Sequence, residues 1–457
     1  MNRNLWSFWR RRWLLGWSLA AVTLASALGA GVRVGIFQSD VTPPIGHPLC
    51  GGWIEPVIGV DDPLLAKGIV LEAGGQLHVV CSVDWCLLQT RAHEAFVRAL
   101  AEAVGTSPER VSVHTVHQHN APIADARAQE LLDQVEGAPL HLDLEFLRVV
   151  TDRLGRAAAE AKGRMRAVTA VGFGKAKVER FASNRRVLLD DGKIHARYSA
   201  TTDPVMQAAP EGLIDPWLRT VSLFNGQEPL VRMHYYATHP MSYYGDGRVT
   251  ADTVGLARER LEREELVPQI YFTGCGGNIT AGKYNDGSPE SRVAMTERVL
   301  DAMRRSVRDS DRVALDGVTW RTTEVELPLR EGEEWSEGLN RRRLALVDAP
   351  KLDRLKSALN LAWIERCQRQ PRITLSGLEL GPVSLVHLPG ECFVEYQLYA
   401  QGLVPDRFVV VAAYGESGTG YVCCDAAFAE GGYEPTMSRV APPTEERLKA
   451  GIARLLE

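Results

Sequence analysis

Six short apolar runs, each followed at once by polar or glycine-rich residues, constrain the fold of this chain most strongly. The runs are rich in β-branched residues, which favours buried strands, and they lie at 77–83, 111–116, 231–237, 270–273, 383–388 and 408–413. Helical patterns lie between them at 92–104, 146–161, 253–264, 291–307 and 352–367. This alternation predicts an α/β fold in which a mixed sheet has flanking helices. Strand order and direction stay open.

The residues that follow these runs are of the types that carry chemistry in enzymes. In chain order they are Asp84, the segment His117-Gln118-His119-Asn120, His239, the segment 274–278, Glu391 and Tyr421. In open α/β sheets, ligands bind beside the carboxyl ends of the strands. Mostly parallel strands would therefore bring these segments to one cleft, whereas antiparallel neighbours would scatter some of them.

Two imidazoles and a carboxylate are a familiar set of ligands for catalytic zinc, and His117, His239 and Glu391 supply such a set. His119 shares a face with His117 if the strand continues, whereas His114 points the other way. Taken singly, each residue also has a structural use, as a hydrogen-bonded histidine or a capping carboxylate. Only 11 histidines occur in the chain, and three of them stand just beyond two strands, which favours a metal site.

The glycine-dense segment 274–283 invites comparison with phosphate-binding loops. It lacks the Lys-Ser or Lys-Thr pair of a P-loop, which argues against nucleotide binding. Two interpretations remain open. The backbone N–H groups of Gly277 and Asn278, with the Thr280 hydroxyl, stabilise an oxyanion formed from a substrate carbonyl, or the segment is a tight structural turn.

The first thirty residues differ from the rest. Four arginines at positions 3, 10, 11 and 12 precede an apolar run at 13–30, and no acidic residue occurs before Asp40. This pattern predicts that residues 1–30 are an export signal, with a retained N-terminal anchor as the alternative. Residues 10–15 resemble a twin-arginine signal, so we expect export to the periplasm, the cell envelope or the medium.

Residues 31–457 contain no long linker and no internal repeat, which predicts one large catalytic domain. The eight cysteines are scattered and do not form a disulfide framework, although export would permit one or two bridges. The net charge of −5, without a basic stripe, excludes nucleic acid as a partner. A small-molecule or lipid substrate fits better, and association with a membrane surface and the oligomeric state stay open.

Six motifs occur in a fixed order along the chain. They are Asp40-Val41-Thr42-Pro43-Pro44, Val116-His117-Gln118-His119-Asn120-Ala121-Pro122, Ala237-Thr238-His239-Pro240, Ala251-Asp252-Thr253-Val254-Gly255, Leu388-Pro389-Gly390-Glu391, and the pair Tyr421-Val422 and Tyr433-Glu434. Their order resembles that of the neutral/alkaline ceramidases, zinc enzymes that hydrolyse the amide bond of ceramide. By this resemblance the chain is a short, bacterial-type catalytic domain.

The resemblance implies that Zn²⁺ is held by His117, His239, Glu391 and the phenolate of Tyr421. It also implies that His119 handles protons, that Tyr433 belongs to the catalytic tyrosine pair, and that Arg185 and Arg186 lie in a substrate-binding segment. The family's Gly-Asp-x-Ser-Pro is replaced by residues 277–281, so Thr280 takes the place of the family's serine only in part. Asp84 and Asp252 are candidates to orient the ligand histidines, with helix capping as the alternative for Asp252.

The metal-binding residues and the resemblance together predict hydrolysis of an amide (N-acyl) bond by metal-activated water, and the resemblance implies ceramide or a related lipid as the substrate. One alternative is a zinc hydrolase of esters or phosphoesters. The other is a catalytically inactive envelope protein that binds a lipid or a glycan in the same cleft.

Overall fold

The computed structural model describes residues 31–242 and 244–457, and within them three large sheets follow one another along the chain. The N-terminal sheet comprises β1 (Arg33–Asp40), β2 (Leu65–Ala73), β3 (Gln76–Val83), β4 (Val111–Thr115) and β5 (Arg166–Ala167). The central sheet comprises β6 (Ala170–Lys177), β7 (Trp217–Asn225), β8 (Glu228–Tyr236), β9 (Gln269–Thr273) and β10 (Asp311–Ala314). The C-terminal sheet comprises β11 (Thr319–Glu326), β12 (Arg372–Leu380), β13 (Val383–His387) and β14 (Phe408–Ala412).

Each sheet ends in one parallel pair of strands. The orders are β4-β3-β2-β1-β5, β9-β8-β7-β6-β10 and β11-β12-β13-β14. The pairs β3/β4, β8/β9 and β13/β14 are parallel, while the other neighbours in these sheets are antiparallel. All six predicted strands are confirmed, and they are the strands of the three parallel pairs. The predicted mixed sheet with flanking helices is confirmed in kind, since each sheet combines parallel and antiparallel pairs, and the strands are divided among three such sheets.

Helices join the strands and cover the outer faces of the sheets. They are α1 (Thr90–Val104), α2 (Ala126–Leu132), α3 (Leu144–Gly163), α4 (Pro204–Ala208), α5 (Asp252–Glu265), α6 (Pro289–Arg308), α7 (Glu337–Ala345), α8 (Lys351–Arg369), α9 (Val394–Leu403), α10 (Ala427–Glu430), α11 (Glu434–Met437) and α12 (Thr444–Leu456). Short 3-10 turns lie at Cys50–Gly52, Pro108–Arg110, Glu333–Trp335 and Ser417–Thr419. All five predicted helices are confirmed, which supports the predicted mixture of helices and sheets.

The inner faces of the three sheets share one apolar core. Ile69 of β2, Val221 of β7 and Leu385 of β13 are at most 1% exposed and belong to the same buried cluster. Fully burying such a side chain stabilises the fold by roughly 1.5–3 kcal/mol. On the outer faces, α1 and α3 pack against the N-terminal sheet, α5 and α6 against the central sheet, and α9 and α12 against the C-terminal sheet. The core therefore fixes the sheets relative to one another.

Hydrogen bonds join the carboxyl ends of the three parallel pairs. The N–H of Thr115, at the end of β4, donates to the carbonyl of Tyr414, just after β14 (3.0 Å). The N–H of Ala413 donates to the carbonyl of Thr273, at the end of β9 (2.9 Å), and the hydroxyl of Thr273 donates to the carbonyl of Val116 (2.6 Å). The segments that follow the six strands thus begin at one place, although most strand pairs are antiparallel.

Residues 1–30, with the predicted export signal or anchor, lie outside the described residues. Among the residues that the structure describes, none of the helices combines the length and the apolar character needed to cross a bilayer.

Candidate metal centre

His117 reaches the centre through a left-handed backbone turn. Strand β4 ends at Thr115, and His117 has φ +74°, so the strand does not continue through His117 and His119, and the condition for their shared strand face is not met. The Nδ1 atom of His117 lies 2.9 Å from the carbonyl oxygen of Cys86. A carbonyl oxygen only accepts hydrogen bonds, so Nδ1 carries the proton and Nε2 presents a lone pair. His114 lies on the opposite side, bonded to Ser112 and to the carbonyl of Ala413, as predicted.

His239, just beyond β8, is oriented in the same way. Its Nδ1 atom lies 2.7 Å from the carbonyl oxygen of Gly276 and 3.0 Å from that of Ile279, both in the loop after β9. Its backbone N–H donates to the carbonyl of Ile279 (3.0 Å). The loop that follows β9, the parallel neighbour of β8, therefore fixes the ring of His239. The lone pair of its Nε2 atom also faces the centre.

Glu391 and Tyr421 come from the ends of β13 and β14. They are direct partners in a short parallel ladder between Glu391–Cys392 and Tyr421–Val422. The backbone N–H of Glu391 donates to the carbonyl of Gly420 (3.0 Å). Side chains of paired residues on adjacent strands point to the same face, so this ladder presents a carboxylate and a phenol side by side.

The four predicted ligands converge. The Oε2 atom of Glu391 lies 3.2 Å from Nε2 of His117 and 3.5 Å from Nε2 of His239, and the Tyr421 hydroxyl lies 3.4 Å from Nε2 of His239. Among the described residues, none donates a hydrogen bond to Glu391 Oε2, although the side chain is buried. Two imidazole lone pairs facing a buried carboxylate repel one another unless a cation lies between them. The donor set therefore fits a bound metal ion.

Burial and the neighbouring charges act on these groups in different directions. Burial opposes ionisation of Glu391, but His117 and His239 outweigh it and hold the pKa of Glu391 well below its ordinary value. Burial lowers the pKa of His239 to about 4, with a further contribution from Arg185. Glu391 is therefore an anion and His239 is neutral near pH 7, which are the states that bind a metal.

His119 and Tyr433 lie in the cavity that opens onto the ligands. The Nε2 atom of His119 lies 3.3 Å from that of His117, and burial lowers the pKa of His119. The ring centre of Tyr433 lies 5.8 Å from that of Tyr421, and burial raises the pKa of Tyr433 to about 12. At neutral pH His119 can thus accept a proton, and Tyr433 keeps its hydroxyl proton as a donor. Apolar side chains form much of the remaining wall, including Trp53, Leu87, Ile123, Leu359 and Met437.

The loop after β9 supports the centre from behind. The N–H of Gly277 donates to the carbonyl of Cys392 (2.8 Å), and a Cβ at Gly277 would lie 2.3 Å from the carbonyl oxygen of Glu391. Asn278 donates to Glu395 and accepts from the N–H of Val394, at the start of α9. The predicted oxyanion role of Gly277 is wrong, because its N–H is already engaged. Asn278 and Gly277 form the tight turn that was the alternative.

Thr280 lies away from the cavity. It is fully buried, and its hydroxyl donates to the carbonyl of Arg197 (2.9 Å) in the short ladder that pairs Thr280 with Ser183. Its hydroxyl therefore stabilises backbone structure, and this position does not support the predicted catalytic role.

Asp84 and Asp252 bind groups other than the ligand histidines. Asp84 forms a bidentate salt bridge with Arg258 (2.7 and 2.8 Å) and accepts a hydrogen bond from the N–H of Leu65. Asp252, in the first turn of α5, accepts from the N–H groups of Ser242 and Thr253, but the N-cap position of the helix is Ala251, so the helix-capping alternative does not hold either. Backbone carbonyls orient the histidines instead, so the predicted role of the two aspartates is wrong.

Arg185 and Arg186 hold the tyrosine segment. The Nε atom of Arg185 donates to Glu434 (2.7 Å), and Arg186 contacts both Glu434 (2.8 Å) and Glu430 (3.0 Å). The guanidinium of Arg185 also lies over the rings of Tyr421 (4.9 Å) and Tyr433 (5.2 Å). These contacts give both arginines a supporting role in place of the predicted contact with substrate.

The sequence did not single out four further residues of the centre. Tyr414 stacks on His117 with ring centres 4.4 Å apart, while Cys50, Cys86 and Arg439 line the cavity. Hydrogen bonds from Cys86 lower the pKa of Cys50 to about 5, against the effect of burial, with support from His119 and Tyr244. All eight cysteines lie within the described residues and are free thiols. A predicted strand end precedes Tyr414 and Cys86, which is the signal that could have found them.

Comparisons with known proteins agree with this fold. Neither the models of protein families nor the curated protein sequences give a match. Among solved structures, a ceramidase complexed with C2 matches with a TM-score of 0.69 at 16% identity, covering 93% of this chain and 74% of that chain. The neutral ceramidase of Pseudomonas aeruginosa matches with a TM-score of 0.67, the same identity and the same coverage. The chain therefore has the fold of these ceramidase structures, and the predicted resemblance is confirmed for the fold.

Proposed function

We propose that this protein is a zinc-dependent hydrolase that cleaves an amide (N-acyl) bond in a lipid-like substrate. The observation that carries the proposal is the convergence of His117, His239, Glu391 and Tyr421, with a buried carboxylate oxygen facing two imidazole lone pairs. Nitrogen and oxygen donors of this kind suit zinc. The ceramidase fold supports amide hydrolysis as the reaction.

The apolar cavity wall supports a lipid-like substrate. Side chains such as Leu87, Ile123 and Leu359 lie beside the ligands in the same cavity, and they would remove an acyl chain from water. The similarity to ceramidase structures supports this choice by analogy, so ceramide or a related N-acyl lipid is the proposed substrate class.

The side chains around the ligands divide the chemistry among them. A bound zinc ion would polarise the scissile carbonyl and lower the pKa of a water molecule. The neutral imidazole of His119 accepts a proton from the attacking water and returns it to the leaving amine nitrogen. The neutral phenol of Tyr433 donates a hydrogen bond to the oxygen of the scissile carbonyl as negative charge develops there.

A panel of N-acyl, O-acyl and phosphoester substrates tests the reaction. The purified, zinc-loaded chain should release a free fatty acid and an amine from N-acyl lipids, and Glu391→Gln should abolish this release. Glu395→Gln is the matched control, because Glu395 is a half-buried carboxylate that bonds Asn278 outside the cavity, and it should stay active. Activity on phosphoesters alone would contradict the proposal. A chain purified without chelators that contains no metal would favour the inactive binding protein.

We also propose that residues 1–30 direct export. The arginines at positions 10–12 before an apolar run support this. When the full chain is expressed in a bacterium, replacing Arg11 and Arg12 by lysine should retain it in the cytoplasm. Equal export of this variant and of the natural chain would contradict the twin-arginine route.

A further inference from the structure

A group of softer donors lies on the opposite wall of the same cavity. Cys50, in the turn after the N-terminal motif, and Cys86, just after β3, are buried thiols, and both line the cavity with His119. One donor atom from each of the three residues lies within 4.8 Å of the others. These residues come from three separate segments, and backbone hydrogen bonds join the segments of Cys50 and Cys86 to the segment that contains His119.

Those hydrogen bonds fix the positions of the two thiols. The N–H of Cys50 donates to the carbonyl of Ala121 (2.7 Å), and the N–H of Cys86 donates to the carbonyl of Pro122 (2.9 Å). Ala121 and Pro122 come two and three residues after His119 in the chain. One short segment therefore holds both cysteines beside the imidazole, so the group is built into the fold.

The geometry points to a second metal site, and we propose that Cys50, Cys86 and His119 bind a thiophilic divalent ion such as zinc. Around a tetrahedral zinc ion, sulfur and nitrogen ligands lie ~3.5–4 Å from one another, since the bonds are about 2.3 Å and 2.0–2.1 Å long. The donor atoms of Cys50, Cys86 and His119 lie within 4.8 Å of one another, so a short movement of the side chains toward the ion brings them to these distances. The cavity leaves the fourth position to solvent. Two thiolates distinguish this site from the nitrogen and oxygen donors of the first one.

His119 belongs to both groups, which gives the second site a consequence. Its ring also lies among the donors of His117 and His239. If His119 handles protons, as the proposed function holds, an ion that is bound by Cys50, Cys86 and His119 occupies the imidazole lone pair, and His119 can no longer accept a proton. Excess zinc should then inhibit the enzyme through this site, and this consequence alone rests on the proposed function.

Titration with Cd²⁺ tests the site without any assay of activity. The full chain is freed of metal with a chelator and kept reduced with a phosphine, and its thiols are counted before use. The natural chain should bind two equivalents, one of which gives thiolate-to-cadmium absorption in the ultraviolet. Cys50→Ser and Cys86→Ser should each lose this absorption and one equivalent. Cys424→Ser, a half-buried cysteine outside the cavity, should keep both.

Two further measurements keep the outcome decisive. Glu391→Gln should lose the other equivalent and keep the thiolate absorption, so failure of the amide hydrolase proposal does not affect this test. X-ray absorption at the cadmium edge of the natural chain should show sulfur ligands, which removes dependence on how the variants fold. Absence of sulfur ligands while the thiols are reduced, or full absorption in folded Cys50→Ser, would overturn the second site.

Discussion

The guanidinium carbon of Arg185 lies 4.9 Å from the ring centre of Tyr421, and both side chains are buried. Burial raises the pKa of Tyr421 well above its ordinary value, and Arg185 opposes that rise. A buried cation beside the phenol favours the phenolate, which is the form that binds a metal. Arg185 is in turn anchored by Glu434, so the arginine positions the proposed fourth ligand.

Removing the positive charge beside Tyr421 should weaken metal binding. We expect the double change Arg185→Met with Glu434→Gln to lower zinc affinity about 10- to 100-fold, the range for groups that support metal ligands. Glu434 is changed as well because the loss of Arg185 removes one of the two arginines that pair with this buried carboxylate, the other being Arg186. Competition with a chromogenic chelator measures the affinity. Arg185→Lys, which keeps the charge, should lose less, and unchanged affinity in the folded double variant would contradict the role of Arg185.

Loss of the imidazole at position 119 should separate catalysis from metal binding at the first site. We expect His119→Gln to lower kcat about 100- to 10,000-fold, the usual contribution of a positioned proton acceptor. One equivalent of zinc should remain, because His117, His239, Glu391 and Tyr421 are unchanged. Metal analysis with steady-state kinetics on the same sample checks both. Normal kcat would remove His119 from the mechanism, and loss of all zinc would make it a ligand.

Thr280→Ala should change stability and leave turnover unaltered. The substitution leaves the buried carbonyl of Arg197 without the hydroxyl that now donates to it, which costs about 1–3 kcal/mol. Thr280→Ser keeps a hydroxyl and is the matched control. Denaturant unfolding measures the stability, and a large fall in kcat for the alanine variant alone would restore a catalytic role for Thr280.

Buried His234 should make stability fall in mild acid. Burial lowers its pKa from 6.5 to about 4, against the hydrogen bond with Gln269. Between these values the unfolded chain binds a proton that the folded chain does not, so stability falls as the pH is lowered from about 6.5 to about 4. One such group contributes at most about 1.4 kcal/mol per pH unit. Urea unfolding at several pH values gives the free energy of unfolding as a function of pH. Its decrease toward acid should be smaller for His234→Gln than for the natural chain, and an equal decrease would contradict this assignment.

The strands that matter for the site were predictable because they are buried on both faces. Residues of β3, β4, β9 and β13 are almost all buried, and such strands read as continuous apolar runs. The antiparallel strand β11 is largely exposed or half-buried, so its sequence carries no such run. Antiparallel strands such as β11 divide the chain among three sheets, and the sequence did not predict that division.

His117, His239 and Glu391 could be proposed as ligands from residue type and position, and Tyr421 only from the family resemblance, whereas the groups that orient them could not be predicted. His117 and Glu391 follow apolar runs directly, but the groups that orient the histidines are backbone carbonyls of Cys86 and Gly276. Every residue has a carbonyl, so the sequence contains no signal for this use. Thr280 was misplaced for a related reason, since its position in a motif does not reveal where its hydroxyl points.

A crystal structure of the zinc-loaded chain, with anomalous data collected on both sides of the zinc edge, tests the central claim most directly. We expect an anomalous peak about 2 Å from Nε2 of His117, Nε2 of His239, a carboxylate oxygen of Glu391 and the phenolic oxygen of Tyr421. The same crystals of Glu391→Gln should lack this peak. A crystal at full zinc loading in which these four side chains hold no metal would contradict the account.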